Sequence, residues 1–429
     1  MMLRNRLAII SGCSLAALGA MAAWQFGGAA EARQAVATCD TATTPFCNST
    51  VPLPAGWTGR RFQLSQNYPT AIPSDAMPWK AFDPTTQSQP YIQAVLGYFY
   101  EGNLRPDIDA SFDPTLNTVR HWYNAPWQDT GTNGREPIHG LTRERTSKPQ
   151  ELAPSQGRQW NNYAVGFYNA PGGAVIGRMW ANRGKPNASA ASDMPEGTVA
   201  AKLLFTTAPV SEVPYLQGSP EWDAYVYADV NNPFPKPTSP RAVVKVRLLQ
   251  IDIAVKDARV ASKTGWVFGT FVYGGGPGGP AGNGWTNVAP IGLMWGNDPG
   301  YSGTGPLTES WINPAVTMPH LGYQGRLNGP VDNKLSSCLS CHSTAETPAG
   351  SMMPTGTSTA PWFRNIPSGT AFDAGRTSLD YSLQLSVGLG AFLDAQKVMN
   401  TRNPTARRLL VKRLEAEDAR PARDGGTGR

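Results

Sequence analysis

The chain has 429 residues, of which 40% are apolar, with 45 glycines, 38 prolines and a formal net charge of +6. That length accommodates one to three domains with buried cores, and a charge this modest forms no basic stripe, so nucleic-acid binding is set aside. Abundant Gly and Pro without a collagen period, together with 13 Trp, 14 Tyr and 14 Phe, favour a loop-rich, mainly β protein over a helical bundle.

The N-terminus opens with Arg4 and Arg6, continues as an apolar run over Leu7–Trp24 and reaches small residues, with cleavage positions after Ala30 or Ala37. This is the pattern of an export signal over residues 1–37. The alternative is an uncleaved N-terminal membrane tether. Cys13 lies too early in the apolar run for lipoprotein cleavage, and no later run is long enough to span a bilayer. The expected location is the periplasm, where Cys39 and Cys47 are expected to pair as a disulfide.

Residues 38–157 are rich in Pro, Asn, Thr and Gln and read as an irregular N-terminal region wrapping a better-ordered domain. Within it Tyr91–Asn103 (YIQAVLGYFYEGN) suits a short helix. From 158 to 345 the pattern becomes that of an antiparallel β domain. Asn162–Arg183 reads as two strands around a turn at Pro171-Gly172-Gly173, and Pro195–Ala208 as a turn and a strand. Arg241–Val260 reads as a long strand, with Val244, Val246 and Leu248 on one face and Leu249, Ile251 and Ile253 on the other. Thr264–Gly275 follows after a short connection, which suits an antiparallel pair. Gly274–Gly284 (GGGPGGPAGNG) is a loop; a phosphate cradle needs a helix and a Lys-Ser/Thr pair after it, and neither follows. Pro290–Gly300 is one more strand ending in a turn. Residues 346–429 form a C-terminal helical extension with a disordered tail. In it the stretch from Ser378 to Met399 alternates as a strand would, but its length, its leucines and Ser378 as a cap favour a helix, and Thr405–Arg420 reads as a charged helix.

The chemistry lies at Cys338-Leu339-Ser340-Cys341-His342. Cys-x-x-Cys-His is the attachment pattern of c-type haem: two thiols on one turn reach the two porphyrin vinyl groups, and the next residue supplies the proximal imidazole. Cys338, Cys341 and His342 are thus the expected cofactor-binding residues, with His342 the iron ligand. A thioredoxin-type dithiol wants a strand–motif–helix setting that this segment lacks. A structural zinc needs four ligands, and His121, His139 and His320 have no zinc spacing. The second axial position separates electron transfer from ligand chemistry. Its candidates are Met318, Met352, Met353, His320, His121 and His139.

Several stretches together resemble the cytochrome P-460 family and its relatives, the cytochromes c′-beta, over roughly residues 160–345. They are Met194–Phe205 (MPEGTVAAKLLF), Ile253–Phe271 (IAVKDARVASKTGWVFGTF) and Ser336–His342 (SSCLSCH), in the family's order, with Asn162–Asn182 a looser match. The chain differs in its long segment before the motif and in its extensions at both ends. The resemblance implies a mostly antiparallel β fold, one covalent haem c, and either hydroxylamine oxidation or nitric oxide binding. Catalytic members of the family bond a lysine to the porphyrin edge, and here Lys202 is the first position to examine, with Lys185 and Lys245 as rivals. In strand conformation Thr198, Ala200, Lys202 and Leu204 share a face, and desolvation there is expected to lower the Lys202 pKa and make its nitrogen nucleophilic. Phe167, Phe205 and Phe268 are the expected apolar walls of an open haem face. The leading functional expectation is an exported monohaem c-type cytochrome that transfers electrons to a redox partner protein. The alternative is a small nitrogen-oxide ligand or hydroxylamine at an open face.

Overall fold

The structure, a computed structural model, describes residues 51–62, 65–104, 112–128, 135–228, 240–279, 282–316, 320–350, 360–400, 403–405 and 408–409. The expected signal, the Cys39–Cys47 pair, Met318, Met352, Met353, most of the charged helix over 405–420 and the tail lie outside these residues. The described residues belong to one compact unit. No helix among the described residues is long and apolar enough to cross a membrane.

The unit is built on one eight-stranded antiparallel sheet. Its strands are β1 (Thr142–Arg143), β2 (Asn162–Tyr168), β3 (Val199–Thr206), β4 (Glu221–Tyr227), β5 (Arg241–Lys256), β6 (Trp266–Tyr273), β7 (Val288–Met294) and β8 (Ser310–Ile312). They run in the order β1-β2-β3-β5-β6-β7-β8, with β4 pairing the first half of β5. Mostly β architecture is therefore as the composition implies.

β5 departs from simple alternation. Leu204 of β3 faces Gln250 and Phe205 faces Leu248, so Leu249 is an extra residue, a β-bulge. The bulge resets the phase. Val246 and Leu248 before it and Ile251, Ile253 and Val255 after it all enter the same hydrophobic core, with Val244 packed at its border. The expected assignment of 244–248 and 251–253 to opposite faces is corrected for that reason. Leu249 itself points the other way, into a separate cluster with Leu204, Leu216 and Tyr273.

The first face of the sheet is covered by helix α1 (Ser88–Tyr100). Its buried Tyr91, Ile92, Val95, Leu96 and Phe99 recur at helical spacing. They meet Phe167, Leu203, Phe205, Ile251 and Phe271 of the sheet. Each such apolar side chain contributes about 1.5–3 kcal/mol by leaving water. Gly102, at φ +74°, follows the helix end, where a left-handed residue terminates the turn.

The second face carries helix α2 (Ala170–Met179), the short helix α3 (Cys338–His342) and helix α4 (Leu383–Asn400), together with a small ribbon of β9 (Glu346–Thr347) and β10 (Thr377–Ser378). α2 corrects the expected second strand at Pro171-Gly172-Gly173. Asn169 caps it by accepting from Gly172 N. Pro171 falls in the first turn, where its missing N–H is no loss. Gly173 serves close approach rather than a turn, since a Cβ there would lie 2.6 Å from the Tyr123 ring. In α4 the helical reading holds, and Leu385, Leu389 and Phe392 point inward together. Its entry is held by Ser382, whose hydroxyl accepts from Leu385 N, and not by Ser378, which pairs in β10.

A test of the bulge follows from its two roles. Leu249→Ala keeps the extra residue and should cost about 2–5 kcal/mol in denaturant unfolding while still folding. Deleting Leu249 should abolish cooperative folding, because a one-residue slip turns every later side chain of β5 to the wrong face. A deletion variant with a wild-type unfolding midpoint would refute this account of the register.

Candidate functional site

α3 presents the motif. Ser337 caps it through a reciprocal pair: its hydroxyl accepts from Ser340 N at 3.1 Å, and Ser340 Oγ accepts from Ser337 N at 2.8 Å. Ser337 Oγ also donates to Asn297 Oδ1, and Cys338 N bonds to Leu327 O, which ties the turn to the preceding loops. Leu339 is fully buried in the second-face core. With Leu339 as anchor, Cys338, Cys341 and His342 turn toward a cavity of about 570 Å³.

The cavity floor is the second face of the sheet, where Gly166, Ala200 and Ala254 leave room and Lys202, Asp252 and Thr270 supply polar groups. At Gly166 a Cβ would lie 2.2 Å from Gln384 Nε2, so a side chain there would require the Gln384 amide to move. That wall comes from Asn328–Ser337 on one side and Tyr381–Gln384 with Val387 on the other.

His342 Nδ1 lies 2.9 Å from the backbone carbonyl of Tyr381. A carbonyl can only accept, so Nδ1 carries the proton and Nε2 keeps its lone pair for a ligand. Burial pushes the imidazole down to about 4; the Tyr381 carbonyl opposes this and the Lys202 charge adds to it. It stays neutral, as a metal ligand must. The Phe268 ring packs on it at 4.7 Å. The cysteines are not joined to each other. Burial raises both thiols, Cys341 to about 11. This is the reverse of the lowered thiol of a dithiol oxidoreductase.

Lys202 reaches the same cavity. Its Nζ lies 3.8 Å from Asp252 and 4.0 Å from Glu144. The expected lowering of its pKa is corrected. Burial does act in that direction, but the carboxylates of Glu144, Asp252 and Asp332 outweigh it and the amine is held as ammonium. Asp252 accepts from Gln250 Nε2 at 2.8 Å and from Thr270 Oγ1 at 2.9 Å. Burial pushes its carboxyl above the usual range while Lys202 pulls it back.

The other candidates separate from the site. Lys185 is exposed, and Lys245 pairs with Asp223 at 2.9 Å on the far half of β5. Of the three expected aromatic walls only Phe268 stands at His342. Phe205 stacks on Trp222 at 4.2 Å in the first-face core. Phe167 borders the cavity, but its ring packs against Phe99 and Phe112. The cause is strand alternation, which sends neighbouring side chains to opposite faces. His139 is stacked on Trp222 at 4.4 Å, His121 is exposed and His320 is buried away from the cavity. Among the described residues no methionine and no second histidine lines it. Nor does any group of three His, Cys, Asp or Glu side chains among them form a metal cluster.

Asp252, Asp380, Tyr381 and Gln384 were not foreseen. Asp252 had a signal, a lone acid inside the apolar run Leu248–Val255. Asp380 and Tyr381 had none: both adopt left-handed φ, +44° and +68°, a conformation unusual for a non-glycine residue and unmarked in sequence.

The residues present fit a covalent haem. Two thiols and a neutral imidazole with an anchored Nδ1 open on one cavity with a small-residue floor. No family model, no curated protein and no solved structure matches the chain.

The buried neutral imidazole has a pH consequence. Unfolded His titrates near 6.5 and folded His342 near 4, so between these values the unfolded chain binds more protons and stability falls as pH falls. In cofactor-free protein the loss attributable to His342 should be at most about 1.4 kcal/mol per pH unit. Denaturant melts of wild type beside His342→Gln should show it as a difference in slope between pH 6.5 and 4; parallel curves would contradict it.

Proposed function

We propose that this chain is an exported monohaem c-type cytochrome that transfers electrons to a redox partner protein. The observation that carries the reading is the meeting of Cys338, Cys341 and a His342 imidazole with an anchored Nδ1 at one cavity. The Arg-led apolar N-terminus supports export, since c-type attachment takes place outside the cytoplasm. Cys338 and Cys341 would hold the porphyrin through thioethers, and His342 Nε2 would ligate the iron. A bound haem supplies one-electron chemistry and, where one axial position is open, a site for a small ligand.

The chain's own residues do the rest. The Tyr381 carbonyl fixes the His342 tautomer and raises its basicity as a ligand. The Phe268 ring packs on the imidazole, and it lies 6.1–6.2 Å from the rings of Trp266 and Tyr381, which gives that side an aromatic wall. Lys202, held between Glu144 and Asp252, keeps a positive charge on the cavity floor. As an ammonium it has no lone pair with which to attack a porphyrin edge, and this favours the plain-haem carrier over a cross-linked enzyme.

A second reading has its own support. Lys202 and Asp252 form an ion pair on the cavity floor, and no described lining residue is a methionine or second histidine. Those features suit binding of a nitrogen oxide or oxidation of hydroxylamine at an open face. An antiparallel sheet followed by the motif, with a β3 lysine facing it, agrees with the likeness to cytochrome P-460. On that likeness the sheet is proposed to be of the P-460 type.

Attachment is tested by acid–acetone extraction. Haem should stay with the wild-type chain, and Cys338→Ser or Cys341→Ser should weaken retention. Free extraction from the wild type would sink the c-type assignment. Ferrous spectra of wild type beside Lys202→Ala test for the cross-linked enzyme. A red-shifted band lost in the variant would make hydroxylamine oxidation the leading function, whereas two identical, ordinary haem c spectra would leave electron transfer or gas binding.

A further inference from the structure

Asp380 is a fully buried carboxylate with an unusually complete set of donors. Its Oδ2 accepts from Met194 N at 2.6 Å and from Lys256 Nζ at 2.9 Å. Its Oδ1 accepts from Ser368 Oγ at 2.6 Å and from Trp266 Nε1 at 3.1 Å. These donors come from four separate segments, including the end of β5 and the start of β6. A buried charge is tolerated only when paired and hydrogen-bonded, and here both conditions are met.

The next residue is Tyr381, whose carbonyl receives the His342 Nδ1 proton. Asp380 and Tyr381 both hold left-handed φ, at +44° and +68°. Two consecutive non-glycine residues in that region persist only when their surroundings over-determine them. The Asp380 carboxylate provides that determination on one side. On the other, Tyr381 Oη donates to Ile366 O. The turn is thereby aimed so that the carbonyl points at the imidazole.

We propose that Asp380, clamped by Lys256 and Trp266, is the positioning residue for the proximal ligand: it locks the left-handed Asp380–Tyr381 turn and so sets the tautomer and orientation of His342. This rests on the haem reading above. It adds that the strength of the axial bond is set from the β5–β6 end of the sheet, through a group that never touches the iron. Outer-shell partners of a ligating histidine typically alter metal affinity about 10–100-fold.

The test uses the full chain with and without haem. In the haem-loaded protein, Asp380→Asn and Lys256→Met should each lower the ferrous iron–imidazole stretching frequency. Each should also raise the fraction of haem lacking its imidazole about tenfold. Tyr381→Phe removes the Ile366 contact that holds the other side of the turn, so it should move both readouts in the same direction. In the cofactor-free chain, exchange of the His342 Nδ1–H by ¹⁵N NMR should quicken about tenfold in Lys256→Met. Lys256→Met also serves if Asp380→Asn fails to fold. Lowered melting temperature with unchanged vibrational and exchange readouts would overturn the proposal and leave Asp380 a structural acid only. A wild type that takes up no haem would instead overturn the cofactor assignment, while the NMR measurement would still decide whether Asp380 positions His342.

Discussion

A bulge at Leu249 lets one sixteen-residue strand serve the whole molecule. Without it β5 would present two half-apolar faces out of phase with each other. With it, Val246, Leu248, Ile251, Ile253 and Val255 join one continuous core under α1. The opposite face is then free to carry polar and small residues. Asp252, Ala254 and Lys256 lie on that side, and each belongs to the candidate site or to the cluster that braces it. Packing on one face of β5 thus dictates where chemistry can sit on the other.

The electrostatics of the cavity follow from the same arrangement. Lys202 and Asp252 are register partners across β3 and β5, so one brings the other to the floor. With Glu144 and Asp332 nearby, acids outnumber the lysine, and the balance holds it charged. Burial alone would act in the opposite direction. The imidazole of His342 meets the opposite balance, with burial and a neighbouring cation both favouring the neutral form. One cavity therefore keeps an ammonium and a neutral imidazole side by side.

Much of this was legible in the sequence. The motif stood out because its three residues lie at a fixed local spacing. The long strand, its antiparallel partner Trp266–Tyr273 and the helix over Ser88–Tyr100 were legible because their apolar patterns are long. Lys202 was legible through alternation along β3. What failed had non-local causes. The Leu249 bulge depends on the strand beside it. The Pro171-Gly172-Gly173 stretch has turn composition, yet it opens a helix because Asn169 caps it and Tyr123 crowds the backbone. The charge state of Lys202 depends on Glu144 and Asp332, distant in sequence and adjacent only in the fold. Asp380 and Tyr381 carry no local mark, because their left-handed turn is held by donors from four other segments.

The central claim is that Cys338, Cys341 and His342 form a covalent haem site. The most direct measurement is the intact mass of the protein exported from a host that attaches c-type haem, followed by mapping of the peptide containing residues 338–342. The account predicts the mass of the chain plus one haem, with the added mass on that peptide. A chain of bare polypeptide mass, with Cys338 and Cys341 free or oxidised to a disulfide, would contradict it.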